Sequence, residues 1–180
     1  MTHLLLLTLA CAKHEARSCD PITFANPWET GGYALIEGAA KLADDKELVP
    51  FGIVSTPDKP RIARWPDLSW ENALDTARRS MSEFTVDEGG SALVFDALFE
   101  LDRRETDVMV AQIVRHDGVT PSILVQPYQP KKGFRRFKLE GTPQVLEGDD
   151  KPRDPLPHEL RSLEQGAACH ARYGDFGPLR

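Results

Sequence analysis

The stretch SALVFDALFELDRRETDVMVAQIVRHDGVTPSILVQPY, residues 91–128, decides the fold. It holds three apolar runs, Ala92–Leu101, Asp107–Arg115 and Ser122–Tyr128. They are parted by Asp102-Arg103-Arg104-Glu105 and by His116-Asp117-Gly118. In the first run Leu93, Phe95, Ala97, Phe99 and Leu101 alternate with Val94, Asp96, Leu98 and Glu100. Successive side chains of a strand point to opposite faces, so this period of two predicts a strand with one apolar face. Asp-Gly between two such runs is a hairpin signal, because both residues tolerate the positive φ of a tight turn. The three runs therefore predict an antiparallel meander, and the remaining segments are read by how they cover it.

Upstream, Trp70, Ala73, Leu74, Ala77, Met81 and Phe84 recur at spacings of three and four, the stripe of an amphipathic helix. Asp67 or Ser69 would cap it, and Glu71 in its first turn suits the macrodipole. Tyr33–Ala43 forms a first helix through Leu35, Ala39, Leu42 and Ala43, with Gly38 marking a close approach to another element. Between the helices, Leu48–Ser55 and Arg61–Trp65 flank Thr56-Pro57-Asp58-Lys59-Pro60 and form a hairpin. Ser18–Gly32, with Asp20-Pro21, Asn26-Pro27 and Gly31-Gly32, reads as a surface loop. Beyond the meander, Phe134–Leu139 alternates as a further strand that Gln144–Leu146 extends, and Gly148–Pro157 reads as a linker. His158–Ala168 makes a short helix in a loosely ordered tail.

The expected class is α+β, with an antiparallel sheet of five to six strands packed against two helices in the order α-β-β-α-β-β-β. Residues 1–32 would be an N-terminal extension, 33–147 a single domain and 148–180 linker and tail. The element order resembles that of profilin-like and roadblock-type domains over about Tyr33 to Leu146, and the likeness implies architecture alone.

Composition bounds the function. With 180 residues, 41% hydrophobic and 28% charged, the chain has the make-up of an ordinary globular protein with room for one core. A net charge of −6 disfavours nucleic acid as a partner. Three cysteines, Cys11, Cys19 and Cys169, do not make a complete disulfide framework, so unpaired thiols in a reducing, cytoplasmic setting are expected. Leu4–Leu7 followed by Thr8-Leu9-Ala10-Cys11 offers the alternative of an exported lipoprotein anchored at Cys11. That segment is far shorter than the ~20 apolar residues that span a bilayer.

Four constellations could carry chemistry. Cys11, His14, Cys19, Cys169 and His170 could form a zinc clamp if the termini met, but the spacing lacks the paired elements of zinc fingers. Cys169 with His170 or His158 would be a nucleophile with its base, although neighbours in sequence rarely share the needed hydrogen bond. Asp96, set between Val94 and Leu98, is the acid whose surroundings point to an altered pKa. Lys131, Lys132, Phe134, Arg135, Arg136 and Lys138 make a cationic segment with interleaved aromatics. Such a segment protects a sheet edge or meets an acidic protein partner.

No G-x-S-x-G, G-x-x-x-x-G-K-[ST] or H-E-x-x-H is present. The expected function is therefore a non-enzymatic interaction module, of adaptor, chaperone-like or immunity type. It would bind a protein partner or a second copy through a sheet edge or helix face, without a cofactor. The alternative is a hydrolase-type enzyme acting on a small molecule, with a site near Asp96, His116 and Asp117.

Overall fold

In a computed structural model of the chain, β3 (Ser91–Leu101), β4 (Arg104–Val114) and β5 (Ser122–Gln129) form the expected antiparallel meander. The structure describes residues 26–44, 47–54, 61–65, 68–83, 90–101, 103–114, 122–132, 136–147 and 151–173. The β3–β4 register runs unbroken from Ser91↔Val114 to Leu101↔Arg104, which leaves a two-residue turn. Arg103 occupies the left-handed region there with φ 63°, the backbone that a tight two-residue hairpin turn requires.

Around the meander stand β1 (Phe51–Val54), β2 (Arg61–Arg64), β6 (Lys138–Leu139), β7 (Gln144–Glu147) and β8 (Lys151–Arg153). The sheet order is β2-β1-β3-β4-β5-β7-β8, every pairing is antiparallel, and β6 joins β5 off this path. The α+β class and the antiparallel sheet agree with the sequence. Among the described residues the sheet has eight strands rather than five or six, because Gln144–Glu147 and Lys151–Arg153 pair as separate strands.

Helices cover both faces. Val94, Met109, Ala111, Ile113, Leu124 and Val145 share one face and one apolar cluster with Tyr33, Ala34, Leu35 and Leu163 of α1 (Pro27–Ala43) and α3 (Pro157–Tyr173). Leu93, Phe95, Val108, Val110, Val125 and Leu146 share the opposite face with Leu74, Ala77 and Met81 of α2 (Trp70–Glu83). The alternation in residues 91–128 thus sorts onto two buried faces. Each fully buried aliphatic side chain in such a layer contributes roughly 1.5–3 kcal/mol.

The N-terminal boundary of α1 differs from the sequence expectation of Tyr33. Asn26, extended at φ −127°, caps the helix by accepting from the Trp28 backbone N–H at 3.0 Å, and Pro27 takes the first helical position. Proline is pre-organised there, where its missing N–H costs nothing. Asn-Pro is a helix start here, not a loop. Gly31-Gly32 sits inside the helix as a contact surface. A Cβ on Gly31 would stand 2.8 Å from side-chain carbons of Ile113 and Leu124, and one on Gly32 would enter the Leu163 carbonyl. Gly166 of α3 meets the Glu29 carbonyl in the same way.

The segment read as a linker carries β8, and the short helix expected at His158–Ala168 is the 17-residue α3. Its start is fixed by Glu159, which accepts from the Leu156 N–H at 2.7 Å and takes a two-pronged bond from Arg153 at 2.8 and 3.0 Å. Glycine at the α1–α3 crossing lets the backbones touch, which is what holds α3 on the sheet.

Gly32→Ala tests that crossing. Alanine favours a helix by nearly 1 kcal/mol intrinsically, but the methyl would collide with backbone. We expect a net loss of about 2 kcal/mol, read as a lower urea midpoint at unchanged slope. Equal or greater stability would show that α1 and α3 are not in backbone contact.

Candidate functional site

The long strand at the centre of the sheet is only half covered along one side. β1 pairs with Ser91–Val94 alone, whereas β4 pairs with all of β3. Among the described residues nothing pairs with the β1 side of β3 from Asp96 to Leu101. Leu98 lies on this overhang and is 67% exposed. Phe99, Leu101 and Ala97 on the other face pack partly into the α2 cluster. Unpaired backbone N–H and C=O groups on a strand edge are a template for another strand.

Asp96 stands where the overhang begins. The Trp70 indole N–H donates to its Oδ1 at 3.2 Å, and the Trp70 ring meets Phe95 edge-on at 6.4 Å. Burial holds the Asp96 carboxyl above its ordinary value against that hydrogen bond, with Glu47 and Asp107 adding like charge. Asp107 lies opposite Leu98 in the β3–β4 register. Tyr128 is pushed up to about 12 by burial and by the charges of Asp96 and Asp107. Its ring packs on Phe137 at 5.5 Å. This end of the sheet is therefore acidic, and the alteration expected at Asp96 is present.

A second polar centre lies on α1 and was not legible in the sequence. Glu37, its side chain 4% exposed, bonds Lys41 Nζ at 2.8 Å and His170 Nε2 at 2.8 Å, with Arg64 at 3.5 Å. Tyr33 and His170 rings lie 5.0 Å apart. Burial pushes this carboxyl up, but hydrogen bonds and charge from His170 and Lys41 outweigh it and bring it to about 2. Glu37 is thus an ionised buried carboxylate joining α1, α3 and β2. With both carboxylate oxygens engaged, it acts as a clasp between elements.

Cys169 is disulfide-bonded, and His170 Nε2 is spent on Glu37. The expectation of three unpaired thiols is therefore corrected: an odd count forbids pairing all three cysteines but not one bond. That disulfide also leaves Cys169 without the thiolate that a nucleophile or zinc ligand needs. Cys11, His14 and Cys19 lie outside the described residues. Among the described residues no three His, Cys, Asp or Glu side chains gather as metal ligands.

His116 and Asp117, the proposed companions of Asp96, also fall outside the described residues. In the cationic segment Lys131, Lys132, Arg136 and Lys138 are exposed, and Phe134 and Arg135 lie outside the described residues. Among the described residues of this segment Lys138–Leu139 is strand, and the Phe137 ring packs against Tyr128. No described helix is long and apolar enough to cross a membrane.

No family model, curated protein or solved structure matches this chain. The likeness to profilin-like and roadblock-type domains accordingly remains one of element order.

Glu37→Gln keeps the shape and removes the charge. We expect a loss of about 3 kcal/mol near neutral pH, because the cations beside it lose their partner. A carboxyl lowered by folding stabilises above its ordinary value of 4.5 and loses that contribution as pH falls toward about 2. The gap between wild type and variant in urea denaturation should therefore close across that window. A gap that is absent at pH 7, or constant down to pH 2, contradicts the clasp.

Proposed function

We propose that this protein is a non-enzymatic interaction module that takes an extended segment of another polypeptide onto the open edge of β3. The observation that carries this reading is the mismatch of strand lengths: four residues of β1 against eleven of β3. Among the described residues it leaves Ala97–Leu101 without a strand partner on the β1 side, beside an exposed Leu98. Strand addition there supplies main-chain hydrogen bonds for affinity, and side chains on alternate faces supply selectivity. The acidic surroundings of Asp96, Glu100 and Asp107 favour a segment with basic residues on that face.

The disulfide at Cys169 favours an oxidising compartment over the cytoplasm, and so favours the exported alternative. The enzyme reading has less support, since Asp96 meets an indole and other acids but no described base.

Panning a random peptide library on the immobilised protein tests the module. We expect enriched segments with apolar residues at alternate positions, whose binding slows amide exchange at Ala97–Leu101. Their affinity should fall at least tenfold, about 1.4 kcal/mol, in Leu98→Glu. No enrichment, or peptides that keep their affinity for Leu98→Glu and leave those amides unchanged, would contradict the proposal.

A further inference from the structure

We infer that the α2-side face of the sheet, beyond the end of α2, is a second docking surface, shaped for an acidic amphipathic helix of a partner protein. It is separate from strand addition at the β3 edge, and it takes up the cationic segment that the proposed function leaves unused.

Alternation along the strands builds this surface. Leu101 stands opposite Arg104, Phe99 opposite Thr106 and Ala97 opposite Val108. Residues directly opposite in a ladder share a face, and Ala97, Phe99, Leu101 and Val108 belong to the cluster under α2. Arg104 therefore projects on the α2 side. Val108 also stands opposite Pro127, so Gln129 lies on that face, and with it Lys138, its partner in β6. The other face at this end carries Asp96 and Glu100 on β3 and Glu105 and Asp107 on β4, with Glu100 directly opposite Glu105. Among the described residues of β3 to β6 no lysine or arginine shares their side. Charge is thus sorted by face, carboxylates on the α1 side and cations on the α2 side. Antiparallel pairing brings the start of β4 beside the end of β5. Arg103 at the hairpin tip, and Lys132 and Arg136 on the β5–β6 connection, are therefore exposed at the same end. One acid, Glu140, follows Lys138 at the margin.

The occupant follows from what covers the rest of this face. There α2 roofs the sheet through Leu74, Ala77 and Met81. The helix begins at Trp70, which reaches the sheet at Phe95 and Asp96. Past that point Ala97, Phe99 and Leu101 are half-buried, packed on the cluster from one side. From β3 to β6 is three strand spacings, about 14 Å, and a helix with its side chains is about 10–12 Å across. One further helix continues the roof. Its apolar stripe meets Phe99 and Leu101, and its flanks meet Arg104 and Lys138, so those flanks carry Glu or Asp. A short helix stays within this patch. A long polyanion such as nucleic acid runs on past it and meets a chain of net charge −6.

Panning a library of helical peptides on the full-length protein in about 0.05 M salt tests this, since exposed charges are screened little there. We expect enriched helices with apolar residues at i, i+3, i+4 and i+7 flanked by Glu or Asp. Binding should shift the amide signals of Phe99, Leu101, Arg104 and Lys138. Arg104→Glu/Lys138→Glu, which alters two exposed side chains, should weaken it at least tenfold, about 1.4 kcal/mol. The charge-keeping Arg104→Lys/Lys138→Arg should bind within a few-fold of wild type. Leu98→Glu, on the other face, should bind these helices as wild type does.

No enriched helix, enriched helices that are basic or uncharged, or full affinity in Arg104→Glu/Lys138→Glu overturns the inference. So does loss of helix binding in Leu98→Glu, which would place the helices at the β3 edge. Vesicles of phosphatidylserine and phosphatidylcholine that bind through Arg104 and Lys138, while no helix does, overturn the protein partner in favour of a membrane. Strand addition at the β3 edge stands or falls separately, by the exchange of Ala97–Leu101 amides with extended peptides.

Discussion

The structure depends on one inequality: β3 and β4 pair over eleven residues, while β1 reaches only the first four of β3. The paired half carries the core. There Val94 and Leu93 are buried on opposite faces, one under α1 and the other under α2. Past Val94 the strand keeps its partner on one side, and among the described residues no strand pairs with it on the other. A strand stabilised on one side by a full ladder holds its other edge rigid and extended, which is the state another strand needs to find. Core and candidate site are consecutive parts of the same β-strand.

The cover of the sheet is held by different means on its two faces. On the α1–α3 side, glycines bring backbones into contact and Glu37 ties Lys41, Arg64 and His170 across three elements. The α2 side is lighter, with Met81 set above Gly52 and Arg78 lying 5.7 Å over the Phe95 ring. Trp70, at the first turn of α2, then closes the covered region by bonding Asp96. The indole marks the line between buried sheet and open edge.

Much of this was legible in the residues. The meander could be read because both faces are apolar in Ser91–Val94 and one remains so to Leu101, so the period of two survives along the run. Asp96 could be read as perturbed because it interrupts an apolar face. Asn26-Pro27 was misread because the same dipeptide opens turns and caps helices, and only the helix after it decides. Gly31-Gly32 and Gly166 resemble breakers until the partner helix is seen. Glu37 could not be picked out from one chain of letters: its partners lie four, 27 and 133 residues away, and nothing local distinguishes it from a solvent-facing helix acid. β8 is hidden by the prolines around it, whereas α3 is legible as the short His158–Ala168 helix, and Pro157 at its first position and Glu159 at its cap extend it.

The most direct measurement is amide hydrogen exchange along β3, residue by residue, in dilute protein. From Ser91 to Val94, flanked on both sides, every amide should exchange slowly. From Ala97 to Leu101 slow amides, bonded to β4, should alternate with fast ones facing the open edge. Uniform protection of Ala97–Leu101 at the lowest concentrations would mean that the chain covers its own edge, and would contradict the account.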